Sequence, residues 1–331
     1  MSRANNIDLL RVILSFSVVY YHYVFLTGNE ISLGFFFNII DSDVAVKSFF
    51  FLSGFLIWNS MQRSDSIRSF IIARMLRLFP ALLIILLITC LWALLLEPGA
   101  FLESFYYYLW NAALLGFMHT TISQVTSETN INALNGSLWT LKVEFMYYIF
   151  IAAMFFIKKS KALKIVVFLT LISLLLNISV EFLKFNLSKS IVNQIPFVFC
   201  YFGLGVILFE MRDYYSRAGL NVAFLLSFLL YLFLPDVLIV RLLFVSFFVL
   251  WFSFGLPQIV SLDKVGDVSY GMYIIHFPLL QLSIASGYPF AEGLVAFFVF
   301  VFVLVFLSLC SWKFIESPSI KFGKKLVRRC I

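Results

Sequence analysis

The chain has 331 residues, of which 62% are apolar and only 12% charged, and its formal net charge is +7. Its mean hydropathy is +1.00, and soluble domains hold about 25% charged residues, roughly twice the fraction here. No water-soluble fold can bury so much apolar surface. That excludes a soluble enzyme, a disordered scaffold and a nucleic-acid-binding domain, and the basic excess instead fits the cytoplasmic loops of a protein whose first partner is the lipid bilayer.

A membrane-crossing helix needs about 20 mostly apolar residues. Ten such segments are predicted in chain order: 7–27, 44–61, 77–96, 137–157, 164–183, 192–210, 219–234, 237–256, 268–287 and 292–312. Together they make one all-α, polytopic integral-membrane domain over residues 1–331. The first is expected to be an uncleaved span, because Asp8 and Arg11 interrupt its apolar run and no small-residue cleavage site follows. Residues 101–118 hold Glu103, Tyr106, Tyr107, Tyr108 and Trp110. Such a composition suits a helix lying on the membrane surface, with a further span as the alternative.

Alternate connections are basic: Arg63, Arg68, Arg74 and Arg77; Lys158, Lys159, Lys161 and Lys164; Arg212 and Arg217; Lys264; and a C-terminal cluster of Lys321, Lys324, Lys325, Arg328 and Arg329. The intervening connections hold Glu30, Asp41 and Asp43, then Glu97, Glu103 and Glu128, then Asp236, then Glu292. Only Lys184 and Lys189 break the alternation. The positive-inside rule then puts both termini in the cytoplasm, which requires an even number of spans. Cys90, Cys200 and Cys310 sit inside apolar runs, where a thiol behaves as a small hydrophobe. No cysteine or histidine spacing suggests a metal site or a disulfide framework.

Ionisable residues inside spans are costly and mark places where chemistry is done. The chain has three histidines, His22, His119 and His276. Arg11 and His22 lie eleven residues apart in the first span. Eleven residues turn a helix about 20° past three full turns, so both side chains point the same way, roughly 16 Å apart along the axis. Arg74 and Arg77 share a helical face, and their planar guanidinium forks suit phosphate. Glu144 falls about 10 Å below the outer surface by helix rise, a depth close to that of His22, so the two could form a base–orienter pair. Ser53 and Gly54 allow either close helix packing or a narrow passage lined by the serine hydroxyl. His276 on its own reads as a satisfied structural histidine, and His119 falls outside the spans.

The ordered motifs resemble the membrane-bound acyltransferase-3 family, the bacterial O-acyltransferases. They are Asn6-Ile7-Asp8-Leu9-Leu10-Arg11 with His22, the Phe-Phe-x-Leu-Ser-Gly-Phe run at 49–55, Arg-x-x-Arg-Leu-x-Pro at 74–80, Asn-Gly-Ser-Leu-Trp-Thr-Leu-x-x-Glu at 135–144, Ser-Tyr-Gly-x-Tyr-x-x-His-x-Pro at 269–278, and Ile315-Glu316-Ser317-Pro318. The resemblance implies transfer of an acyl group, most often acetyl, from cytoplasmic acetyl-CoA to a hydroxyl of an extracytoplasmic or lipid-linked glycan, at the inner membrane of a bacterium. It implies that His22 is the essential histidine, that Arg11, Arg74 and Arg77 serve the donor, and that Glu144 is a further functional acid. Many members carry Asp two residues before the Phe-Phe pair, where this chain has Lys47. Asp43, one turn earlier, could pair with it at i,i+4.

On this reading the arginines hold the CoA phosphates, and the pantetheine arm passes Ser53 toward His22. His22 then takes the proton of the acceptor hydroxyl or carries the acyl group itself. Trp139, Tyr270 and His276 are the candidates for contact with the acceptor, and no metal is required. The rival from another class is a transporter of acyl groups or lipid-linked glycans. Transporters often show internal repeats with interrupted helices, and no such repeat is visible here.

Overall fold

The bilayer offers no water to the backbone, so every span must close its own hydrogen bonds, and a helix does so within one segment. The computed structural model describes residues 5–29, 31, 33–34, 39–126, 131–183, 185, 187–262, 266–287 and 293–329, with no strand among them. The main helices are α1 (Ile7–Thr27), α2 (Ser42–Arg63), α3 (Ile67–Leu96), α4 (Phe101–Ala112), α5 (Trp139–Ala153), α6 (Lys159–Phe182), α7 (Ile195–Glu210), α8 (Arg217–Phe233), α9 (Leu238–Leu250), α10 (Ser269–Ala285), α11 (Gly293–Ser311) and α12 (Ser317–Arg329).

Every predicted span coincides with a helix. Among the described residues seven helical stretches are long and apolar enough to cross a membrane, while α7 and α8 are shorter apolar helices and α10 has 17 residues. Large apolar side chains stay exposed at i,i+3 and i,i+4 spacing on α6 (Phe168, Leu171, Leu175) and α11 (Phe298, Phe302, Phe306), stripes that only lipid would cover. The protein is an all-α, multi-pass membrane protein.

Three details differ from the sequence expectation or sharpen it. First, α3 begins at Ile67, ten residues before the predicted start, because Ser66 and Ser69 cap it reciprocally: Ser69 N–H donates to Ser66 Oγ at 3.1 Å and Ser66 N–H to Ser69 Oγ at 3.3 Å. Arg68, Arg74 and Arg77 therefore ride on a helix rather than in a loop. Second, α4 has 12 residues, about 18 Å of rise, too short for the roughly 30 Å apolar core, so it is no further span. Third, the basic C-terminal cluster is helical, running from α11 through a π-helical turn at Trp312–Glu316 into α12. Glu30, Glu128, Lys184, Lys264 and Glu292 lie outside the described residues.

The chain divides into two compact units. One comprises Met1–Leu14, Asp43–Phe70 and Val143–Leu262. Its helices approach backbone to backbone through glycines. A Cβ on Gly54 would lie 1.9 Å from the Phe202 carbonyl oxygen, one on Gly205 would lie 2.1 Å from that of Phe51, and one on Gly203 would lie 1.9 Å from Thr170 Oγ1. Gly203 and Gly205 are two residues apart, about 200° around α7, so they face different neighbours, α6 and α2. Asn6, buried, ties the chain start to the π-helical turn at Trp251–Gly255 and the strand-like exit from it. Its Nδ2 donates to the carbonyls of Phe252 (3.2 Å) and Pro257 (2.9 Å), and its Oδ1 accepts from Ile259 N–H (2.8 Å).

The other unit comprises Ser15–Ser42, Ile71–Lys142 and Asp263–Ile331. Its centre is α10, where every residue from Ser269 to Ser283 except Tyr270 is buried. Gly271 lets α11 approach, since a Cβ there would already lie 3.1 Å from Ser308.

Candidate functional site

The site is built on α10 and the C-terminal half of α1. The two helices run in the same direction. Ser15 Oγ donates to the Ser269 carbonyl at 3.0 Å, and seven residues further along both helices His22 Nδ1 stands 2.8 Å from His276 Nε2. Seven residues fall roughly 20° short of two full turns, so both contacts lie on one face of each helix. The parallel run is what the predicted topology requires of the first and ninth spans.

Ring geometry fixes how the pair is bonded. The imidazole planes lie within 10° of each other and their centroids are 5.1 Å apart. That separation is close to the longest a 2.8 Å contact between two ring nitrogens permits, so the rings meet edge to edge. His276 Nδ1 is 3.0 Å from the Met272 carbonyl oxygen. A carbonyl can only accept, so His276 carries its proton on Nδ1, and a neutral His276 presents a lone pair at Nε2. The proton in the contact between the histidines therefore sits on His22 Nδ1, leaving His22 Nε2 as the unprotonated nitrogen. His276 is fully buried, whereas His22 is half-buried. The Phe277 ring closes on the His22 imidazole edge-on, with centroids 5.0 Å apart at 73°.

The loop before α5 and the first turn of that helix clasp α10 beside this pair. Asn135 Nδ2 donates to the Ile274 carbonyl at 3.1 Å. Tyr273 Oη and Thr140 Oγ1 are 2.8 Å apart, and Gln281 Nε2 donates to the carbonyls of Ile131 (2.7 Å) and Ala133 (2.8 Å). Positions 273, 277 and 281 lie on one face of α10, next to the face that carries His276.

At the other end of α10, Arg77 Nη2 meets Asp267 Oδ2 at 2.6 Å. Asp267 Oδ1 also accepts from Ser269 N–H (3.3 Å) and Ser269 Oγ (2.5 Å), and Tyr270 Oη donates to the Leu78 carbonyl at 2.7 Å. The arginine pair on α3 is thereby joined to the helix that carries His276.

The ring partner of His22 is His276. Glu144 Oε1 accepts from Tyr148 Oη, four residues on, at 2.5 Å. His276 is fully buried, with Nε2 against His22. Tyr270, half-buried, ties α10 to α3 through its hydroxyl. Trp139 is half-buried at the first turn of α5, Arg74 half-buried on α3, and Arg11 half-buried on α1, which runs unbroken from Ile7 to Thr27. Ser53 is half-buried on α2, and its neighbour Gly54 takes the close-packing role. Lys47 and Asp43 pair at 2.5 Å as the i,i+4 spacing foretold, and Arg241 Nη1 joins the same carboxylate oxygen at 3.3 Å.

Asn135, Asp267, Tyr273 and Phe277 were missed as site-building residues. Pro278 was the available signal: a proline inside a helix leaves the carbonyl four residues earlier in need of an outside donor.

Fold and site together define a multi-pass helical membrane protein with a paired-histidine centre on parallel helices. Comparison with known proteins makes this specific. The chain belongs to the acyltransferase-3 family, whose acyltransferase domain matches residues 4–313, and it is a membrane O-acyltransferase. It is 28% identical over 337 residues to the O-acetyl transferase of Shigella phage Sf6, covering 96% of each chain. It is also 28% identical over 374 residues to Nodulation protein 10 of Rhizobium leguminosarum bv. viciae, covering 98% of this chain and 95% of that one. No solved structure matches the chain.

Proposed function

We propose that this protein moves an acetyl group from cytoplasmic acetyl-CoA to a hydroxyl of a cell-surface or lipid-linked glycan, as a multi-pass protein of a bacterial inner membrane with both termini in the cytoplasm. One observation carries the chemistry: the Met272 carbonyl, His276 and His22 form a directed chain that leaves His22 Nε2 as a base. Similarity to an O-acetyl transferase supports acetyl as the group and oxygen as its destination.

In the proposed reaction His22 Nε2 removes the proton of the acceptor hydroxyl as that oxygen attacks the thioester carbonyl. The new C–O bond forms, the C–S bond breaks, and the proton held on Nε2 passes to the departing CoA sulfur. Protonated His22 is a doubly donating imidazolium, and its Nδ1–H bond to His276 becomes charge-assisted at that moment. Arg11, Arg74 and Arg77 are assigned to the donor phosphates; Arg77 would exchange or share its Asp267 partner on binding. Ser53 is assigned to the donor arm and Trp139 to the acceptor. Glu144 keeps the role of a further acid that contacts the sugar.

The test is mass spectrometry of surface glycans from cells with and without the gene, complemented by wild type or by His22→Ala. A glycan heavier by one acetyl group only with the wild-type gene supports the proposal. An unchanged glycan in all strains, or acetylation that survives His22→Ala, rejects it.

A further inference from the structure

Pro278 sits inside α10. A proline has no N–H, so the carbonyl four residues earlier, that of Ile274, loses its helical partner. A buried carbonyl without a donor is costly. Asn135 Nδ2 supplies the donor at 3.1 Å. The amide cannot turn over, because its Oδ1 accepts from both Ser137 N–H (3.1 Å) and Ser137 Oγ (2.6 Å); a flipped amide would set oxygen against the Ile274 carbonyl. His276 lies within the turn that runs from Ile274 to Pro278, so this one contact stands in for the missing helical bond of the turn that carries the orienting histidine.

The next residue acts on the other histidine. A Cβ on Gly136 would lie 2.8 Å from both Cε2 and Cζ of Phe277. The Phe277 ring is the one that closes edge-on against His22. Glycine at 136 therefore lets the loop press against Phe277 without driving that ring into the imidazole.

We infer that Asn135 and Gly136 are positioning residues for the His22–His276 pair: Asn135 replaces the hydrogen bond that Pro278 removes from the turn of His276, and Gly136 sets the Phe277 ring against His22. This rests on the acyl-transfer reading above and adds to it the residues that hold the base in place. Pro278 and Asn135, distant in sequence, are two halves of one device.

The experiment is a double-mutant cycle on the purified full-length protein, assayed for acetyl transfer per folded molecule. Asn135→Ala and the isosteric Asn135→Asp, whose carboxylate cannot donate, should each lower kcat by about tenfold or more, since small misplacements of catalytic groups cost up to about a hundredfold, while the KM for acetyl-CoA stays unchanged. Pro278→Ala restores a backbone N–H to the Ile274 carbonyl, so in that background Asn135→Ala should no longer lower kcat, while Tm still falls through the lost Ser137 bonds. Gly136→Ala should lower kcat in the same way without moving the donor KM. Full kcat in N135A and G136A beside an inactive H22A overturns the positioning role alone. Independent, multiplying effects of N135A and P278A also overturn it. Absence of transfer by the wild-type protein overturns the acyl-transfer reading and this inference with it.

Discussion

His22 gives and His276 receives. The 2.8 Å contact between them has a direction because the other nitrogen of His276 is committed to the Met272 carbonyl. The consequence is one tautomer of His22, with its free lone pair on Nε2. Replacing His22 by Ala should reduce acetyl transfer to background, a general base being worth roughly 10²–10⁴-fold. Replacing His276 by Ala should cost less, about tenfold to a hundredfold, because the base remains but loses its fixed orientation. Transfer of label from acetyl-CoA, normalised to folded protein, checks both; a His276→Ala protein with full activity would show that His276 only fills the core.

Arg77 and Asp267 bridge α3 and the start of α10, with side chains 32% and 11% exposed. Removing either leaves a partly buried charge, so Arg77→Ala and Asp267→Ala should each lower Tm. The double variant should lose less than the sum, with a coupling on the order of 1 kcal/mol after allowance for solvent screening. Thermal unfolding of the four proteins in one detergent measures it. In the same set, Arg74→Ala combined with Arg77→Ala should raise the KM for acetyl-CoA at least about tenfold, whereas Asp267→Ala should not raise it.

Gly54 has no room for a side chain, the Phe202 carbonyl lying 1.9 Å from the place of its Cβ. Backbone cannot move aside as a flexible side chain can. Gly54→Leu should therefore yield little folded protein, with size-exclusion chromatography as the readout, while Ser53→Ala, at a half-buried neighbour, should fold normally.

Asn6 satisfies two carbonyls and one N–H at the exit from the Trp251–Gly255 turn. Asn6→Ala leaves those groups unpaired and should cost about 2–3 kcal/mol, read as a lowered midpoint of unfolding in denaturant. Normal stability would show that water replaces the amide there.

Hydropathy and charge alone determined that this chain is a helical membrane protein and roughly where its apolar helices lie, because a bilayer admits few solutions for a backbone and a twenty-residue apolar run is one of them. The i,i+4 pair of Asp43 and Lys47 was legible for a similar reason: it is local, and helix geometry settles it. The expectation that His22 is the essential histidine came from motif resemblance, since one imidazole in one span carries no chemistry by itself. What only the tertiary structure decided are the contacts between residues far apart in the chain. Nothing in the run 269–278 says that its histidine turns toward His22, and nothing near Asn135 says that a proline 143 residues later waits for its amide. Depth within the membrane is readable from helix rise. Rotation of one helix against another is not, and that rotation is what brings His276 to His22.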